Sequence, residues 1–64
     1  MYINGVKMEV PEHVKTIDSL LIHLGLQEKI VVVEQNGVIL QKQDYSKVVK
    51  SKDSIEIVTF VGGG

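Results

Sequence analysis

Ile17, Leu20, Leu21 and Leu24 recur at i, i+3, i+4 and i+7, and this one apolar stripe constrains the fold more than any other feature of the chain. The segments around it follow a different period. Val6, Met8 and Val10 alternate with Lys7 and Glu9, and Ile30 to Val33 is β-branched throughout. Near the end, Ile55, Ile57, Thr59 and Val61 alternate with Glu56, Val58 and Phe60. A helix of roughly nine residues does not persist in water by itself, so the stripe must be buried against something. With strands on both sides of it in sequence, that something is a sheet.

The boundaries of these elements carry their own chemistry. Asn4-Gly5 is the favoured dipeptide of a tight type I′ turn, so Tyr2-Ile3 and the run to Val10 read as a hairpin closed by Pro11. Thr16 suits the N-cap of the helix, Asp18 faces its positive dipole end, and Gly25 is a left-handed stop after which Leu26 can fold back. The unalternating Ile30-Val31-Val32-Val33 suits a central strand covered on both faces, or partly covered by a partner. Asn36-Gly37 repeats the turn dipeptide, and Val38-Ile39-Leu40 can return beside that strand. The polar stretch from Gln41 to Lys52 offers Tyr45, Val48 and Val49 as anchors, Lys52-Asp53 reads as a turn, and Ser54 to Val61 is the last strand.

The resulting order is β-β-α-β-β-β, with a long connection that lets the last strand return to the sheet centre. A chain of 64 residues buries only about 60% of the surface its unfolded form exposes, so a single two-layer unit is expected. That is an α+β β-grasp (ubiquitin-like) domain over residues 1–61. It has a mixed sheet of four to five strands with one helix packed on one face. Residues 62–64 are expected as a flexible glycine tail.

Composition removes most other functions. There is no cysteine, hence no disulfide, thiolate metal site or cysteine nucleophile on this chain. Seven basic against eight acidic residues leave no electrostatic footprint for nucleic acid. The N-terminal MYINGVKMEV lacks the basic flank and apolar run of a signal peptide, and no stretch approaches the ~20 apolar residues of a membrane span. A cytoplasmic location is expected. His13 and His23 are ten residues apart and read as surface histidines, and Asp18, Asp44 and Asp53 fall on separate elements. No pair has the spacing for general acid–base work, and no metal site is expected. Gly62-Gly63-Gly64 is not a phosphate loop, because no helix N-terminus or lysine follows it. The chain is therefore expected to bind no cofactor itself and to be no enzyme.

What remains is the end of the chain. A terminal α-carboxyl has a pKa of about 3.5 and is ionised at neutral pH. Such a group is a weak nucleophile that can attack the α-phosphate of ATP if another protein supplies the nucleotide. To reach that nucleotide it must thread a narrow channel, where glycines offer neither side chains nor fixed dihedrals.

The whole chain resembles the ThiS family, the small sulfur carriers of thiamine biosynthesis. The resemblance is carried by INGVKMEVPE, TIDSLLIHLGL, VVVEQNGVIL and, most specifically, DSIEIVTFVGGG. It departs from the family where Leu40-Gln41-Lys42 follows the second turn and where Tyr45 stands at a position often held by tryptophan. The resemblance implies that an E1-like (ThiF-like) adenylyltransferase adenylates the carboxylate of Gly64 with MgATP. Sulfur from a cysteine-desulfurase route then gives a C-terminal thiocarboxylate, which a ThiG-like thiazole synthase takes into the thiazole of thiamine. Two alternatives stay open: a carrier for molybdopterin synthesis, and a non-covalent β-grasp interaction module.

Counting by two along the last strand turns Ile55 and Ile57 to the helix and leaves Val58 and Phe60 on the open face. With Val61 they form an expected docking patch beside the tail of Gly62, Gly63 and Gly64.

Overall fold

Two Asn-Gly turns and one capped helix organise the chain. In a computed structural model, which describes residues 1–60, Asn4 and Gly5 have φ of 52° and 80°, and Asn36 and Gly37 have 51° and 85°. Positive φ at both central positions is the type I′ geometry that matches strand twist. The first turn joins β1 (Tyr2–Ile3) to β2 (Val6–Lys7), and the second joins β3 (Ile30–Gln35) to β4 (Val38–Ile39). Between the hairpins runs α1 (Ile17–His23); a 3-10 turn (Lys42–Ser46) precedes β5 (Ser54–Phe60). No helix among the described residues is long and apolar enough to cross a membrane.

The helix is held at both ends by local hydrogen bonds. At its start Thr16 Oγ1 accepts from the Ser19 N–H at 3.2 Å, and Ser19 Oγ accepts from the Thr16 N–H at 2.9 Å. This reciprocal pair satisfies two donors that a helix N-terminus otherwise leaves unpaired. At its end, Leu26 N–H donates to the Leu21 carbonyl at 2.8 Å and Gly25 N–H to that of Ile22 at 3.0 Å, with Gly25 at φ +76°. That is a Schellman stop, and it brings the partly buried Leu26 back onto the core.

The five strands form one mixed sheet in the order β2-β1-β5-β3-β4. β5 lies at its centre, parallel to β1 and antiparallel to β3 from Ile55 to Phe60. The core fills the space between one sheet face and the helix: Ile17, Leu20 and Leu21 of α1 meet Ile3, Val33, Leu40, Val49, Ile55 and Ile57. Ile17, Leu20, Val33 and Ile55 are completely enclosed. The architecture is the expected α+β β-grasp.

Several local expectations are corrected. The second strand stops at Lys7, well before Pro11, because β1 begins at Tyr2 and offers no partner further back; the last contact is Met8 N–H to the Met1 carbonyl. Ile30 to Val33 is neither fully central nor covered on both faces. It pairs with β5 throughout but meets the β4 side only from Val33, whose carbonyl accepts from the Leu40 N–H at 2.8 Å, and Ile30 and Val32 turn outward. Of the expected anchors between Gln41 and Lys52, Val49 is buried and Tyr45 packs against the core, whereas Val48 is exposed. Asp53 is not a solvated turn residue but a buried one. Val61 and the tail of Gly62, Gly63 and Gly64 lie outside the described residues, and with them the expected boundary between domain and tail.

Candidate functional site: the open face and the end of the central strand

Directly opposed residues of an antiparallel pair share a face, so the register of β3 against β5 decides what the outer surface is made of. Ile30 stands opposite Phe60, Val32 opposite Val58, and Glu34 opposite Glu56. The inward partner of this row is Val33 with Ile57, which is core. The outward row therefore grades along β5. It is carboxylate at Glu34 and Glu56, then aliphatic at Val32 and Val58, then largest and most apolar at Ile30 and Phe60. Ile30 is 71% exposed, Val58 55% and Phe60 52%. Apolar area left uncovered in one contiguous block is the mark of a surface that meets another protein. Val58 and Phe60 thus occupy the open face as their alternation implies. Their neighbours Ile30 and Val32 complete the patch and were not singled out from the sequence, because an unalternating run does not tell which of its residues point outward.

β5 extends past its parallel neighbour, and one side chain spans the gap. β1 pairs with β5 only at Tyr2 with Ser54 and Ile3 with Ile55, after which the chain turns away at Asn4. The Asn4 side chain then takes the place of a strand residue. Ile57 N–H donates to Asn4 Oδ1 at 2.7 Å, and Asn4 Nδ2 donates to the Ile57 carbonyl at 3.1 Å. A carboxamide carries the same donor and acceptor as a peptide group, so it prolongs the ladder by one rung. This keeps the centre of β5 paired on both sides up to Ile57, two residues nearer the tail than Ile55, whose carbonyl accepts the last backbone hydrogen bond from that side, from the Asn4 N–H at 2.9 Å.

The opposite end of β5 is anchored by Asp53, which is 8% exposed. Its carboxylate accepts from Gln35 Nε2 at 2.9 Å, Asn36 Nδ2 at 2.9 Å and the Lys50 N–H at 2.8 Å. Burial by itself would raise its pKa. The hydrogen bonds from Asn36, Lys50 and Gln35, with the Lys50 charge, outweigh that and hold the carboxyl below the usual aspartate value. Asn36 also accepts from the Ser54 N–H at 2.9 Å, so the β3–β4 turn is tied to the first residue of β5. Strand β5 is thus fixed at its start by Asp53 and in its middle by Asn4. Neither role was legible in sequence, where both residues read as turn formers.

The other candidates remain scattered. His13 and His23 are exposed and so is Asp18, while Asp44 accepts from the Gln41 N–H at 3.0 Å within the 3-10 turn. Among the described residues no group of three or more histidines and carboxylates comes together as a metal site. What the geometry can do chemically is hold the end of a central strand firmly beside an apolar face. Gly64, Gly62, Gly63 and Val61 follow that strand but are outside the described residues.

The comparisons with known proteins agree with one another. The sulfur carrier protein ThiS of Bacillus subtilis (strain 168) is 42% identical over 65 aligned residues, which cover 100% of this chain and 98% of that protein. The crystal structure of a thiamine biosynthesis protein (ThiS) from Geobacter metallireducens superposes with a TM-score of 0.80 at 32% identity, covering 98% of this chain and 96% of that one. A thiazole synthase of Paramagnetospirillum magneticum is 44% identical over 50 residues; the match spans 77% of this chain but only 15% of that enzyme. The model of the ThiS family matches residues 1–64 in full. With the open sheet face and central last strand also present in the fold, this chain belongs to the ThiS family.

Proposed function

We propose that this chain is a sulfur carrier protein that serves thiazole formation in thiamine biosynthesis, acting as a protein co-substrate rather than as a catalyst. The observation that carries the reading is the placement of β5. The strand that leads to the terminus runs through the sheet centre and emerges beside the exposed Ile30, Val32, Val58 and Phe60. An enzyme that docks on this face lies beside the last described residue of that strand, Phe60. The carrier-like segment within a thiazole synthase chain supports that enzyme as a partner.

In this reading an oxygen of the Gly64 carboxylate attacks the α-phosphate of MgATP held by an E1-like activating enzyme, and pyrophosphate leaves. A sulfur nucleophile from a cysteine-desulfurase route then attacks the acyl carbon, and AMP leaves. With a persulfide as that nucleophile the product is an acyl disulfide. A thiol reductant then attacks the donor-side sulfur, forms a disulfide with the donor and releases the terminus as a thiocarboxylate, whose sulfur thiazole synthase receives. Val58, Phe60 and the following Val61 contribute the docking surface; Gly62 and Gly63 thread the channel. The cytoplasm, where ATP is available, is the proposed site of the cycle.

The test uses the carrier, an E1-like activating enzyme, MgATP and a sulfur source. The parent should gain the mass of one oxygen-to-sulfur exchange, confined to its C-terminal peptide. Deleting Gly64 withdraws the carboxylate by ~3.5 Å, and appending an alanine puts a methyl group in the channel. Both variants should fold like the parent and fail as substrates. An unmodified parent, or an appended variant modified equally well, overturns the reading.

A further inference from the structure

The hydrogen bonds of β5 reveal which way each of its backbone groups points. The Ile55 carbonyl accepts from Asn4 N–H at 2.9 Å, and both backbone groups of Ile57 bond the Asn4 carboxamide. Odd-numbered residues of β5 therefore direct N–H and C=O toward the β1 side, and even-numbered ones toward β3. Thr59 is the next odd residue. β1 pairs only as far as Ile55 and Asn4 reaches only Ile57, so among the described residues no strand faces Thr59 on that side. Among the described residues its N–H and C=O thus form one open rung on an otherwise central strand, and Thr59 itself is exposed.

Proteins usually blunt such an edge with a charge, a proline or a bulge. Ile57-Val58-Thr59-Phe60 carries none of these and remains regularly paired with β3. We propose that the Thr59 edge of β5 is a strand-addition site, filled by an extended backbone segment of the thiazole synthase that receives the tail. This rests on the carrier reading above.

Four features favour that occupant. The four residues after Phe60 span at most about 14 Å fully extended, so an enzyme that encloses the Gly64 carboxylate has its own backbone near Thr59. The three glycines offer no side chains, so the enzyme can hold them only through main-chain contacts, and Thr59 is where such a ladder begins. The edge is also continuous with the apolar face at Val58 and Phe60, so one docking event covers both. Thiazole synthase is preferred to the activating enzyme because carrier-like segments occur within thiazole synthase chains, where the two parts are held together durably.

A chain of 64 residues is accessible to total synthesis, so the Thr59 amide can be replaced by an ester that removes the N–H and keeps every side chain. Binding of the parent and the ester is measured against a purified thiazole synthase that lacks a carrier-like segment of its own, and against an E1-like enzyme. Amide exchange of the parent is followed with and without the synthase. The ester should bind the synthase ~5- to 10-fold more weakly, as for one lost hydrogen bond, while its affinity for the activating enzyme is unchanged. In the parent, the Thr59 amide should exchange fast when free and become protected in the complex. If the parent binds but the ester binds the synthase equally well, strand addition is wrong. The same holds if the ester weakens only the activating enzyme, or if Thr59 keeps its free exchange rate in the complex. If the parent binds neither enzyme, the carrier reading itself falls.

Discussion

Truncating Phe60 to alanine separates a docking residue from a core residue by magnitude. Phe60 is 52% exposed, so it keeps about half of the ~1.5–3 kcal/mol that full burial of such a side chain contributes. Loss of its cross-strand pair with Ile30 adds ~0.2–1 kcal/mol. The expected cost in stability is thus about 1–2 kcal/mol, a fall in Tm of roughly 5–15 °C for a domain of this size. A fully buried phenylalanine would cost ~3–5 kcal/mol and bring so small a domain close to unfolding. Binding should respond differently. Docking covers the remaining exposed half of the ring, on the order of 100 Å², which at ~25 cal/mol per Å² corresponds to about 2.5 kcal/mol. That sets an upper bound of roughly 70-fold on the loss of affinity, and 10-fold or more is expected. The assay is titration calorimetry against the E1-like enzyme at a temperature where the variant is folded, with circular dichroism melts alongside. An unchanged Kd, or a loss of 4 kcal/mol or so in stability, would refute the docking role.

Further substitutions probe how β5 and α1 are held. Asn4→Gly tolerates the positive φ of that position but removes both bonds to Ile57, so urea unfolding should show a loss of ~1–3 kcal/mol; parental stability would show that the carboxamide does not support the strand. Asn4→Ala should be worse by another ~1–2 kcal/mol, because alanine is strained in the left-handed region. Asp53 has its folded pKa depressed, so its stabilisation is complete above the ordinary carboxylate range and is lost as pH falls through the lower folded value. Urea melts between pH 7 and pH 2 should therefore show a decline at the acid end that is smaller in Asp53→Asn; an identical decline in both would refute the assignment. Thr16→Ala removes the acceptor for the Ser19 N–H and should cost ~0.5–2 kcal/mol in thermal melts, and an unchanged Tm would show that the cap is dispensable.

Local chemistry was enough for the elements and for the fold class. The helical stripe from Ile17 to Leu24, the Thr16 cap, the Gly25 stop and the two Asn-Gly turns are all properties of neighbours in sequence. Each is found where its residues place it. The alternation of Ile55 to Phe60 likewise told the inner face from the outer one, because side chains in a strand change sides at every residue. Pairing between distant segments carried no such signal. How far β2 extends depended on where β1 runs out, and the outward turn of Ile30 and Val32 depended on their register against β5. Asn4 bonds Ile57 across 53 positions, and Asp53 gathers Gln35 and Asn36 from 18 and 17 positions away. Asparagine and aspartate look the same in sequence whether they only shape a turn or also bond a remote strand. Only the closure of the sheet brings those partners within reach, and so only the tertiary structure shows what holds β5 in place.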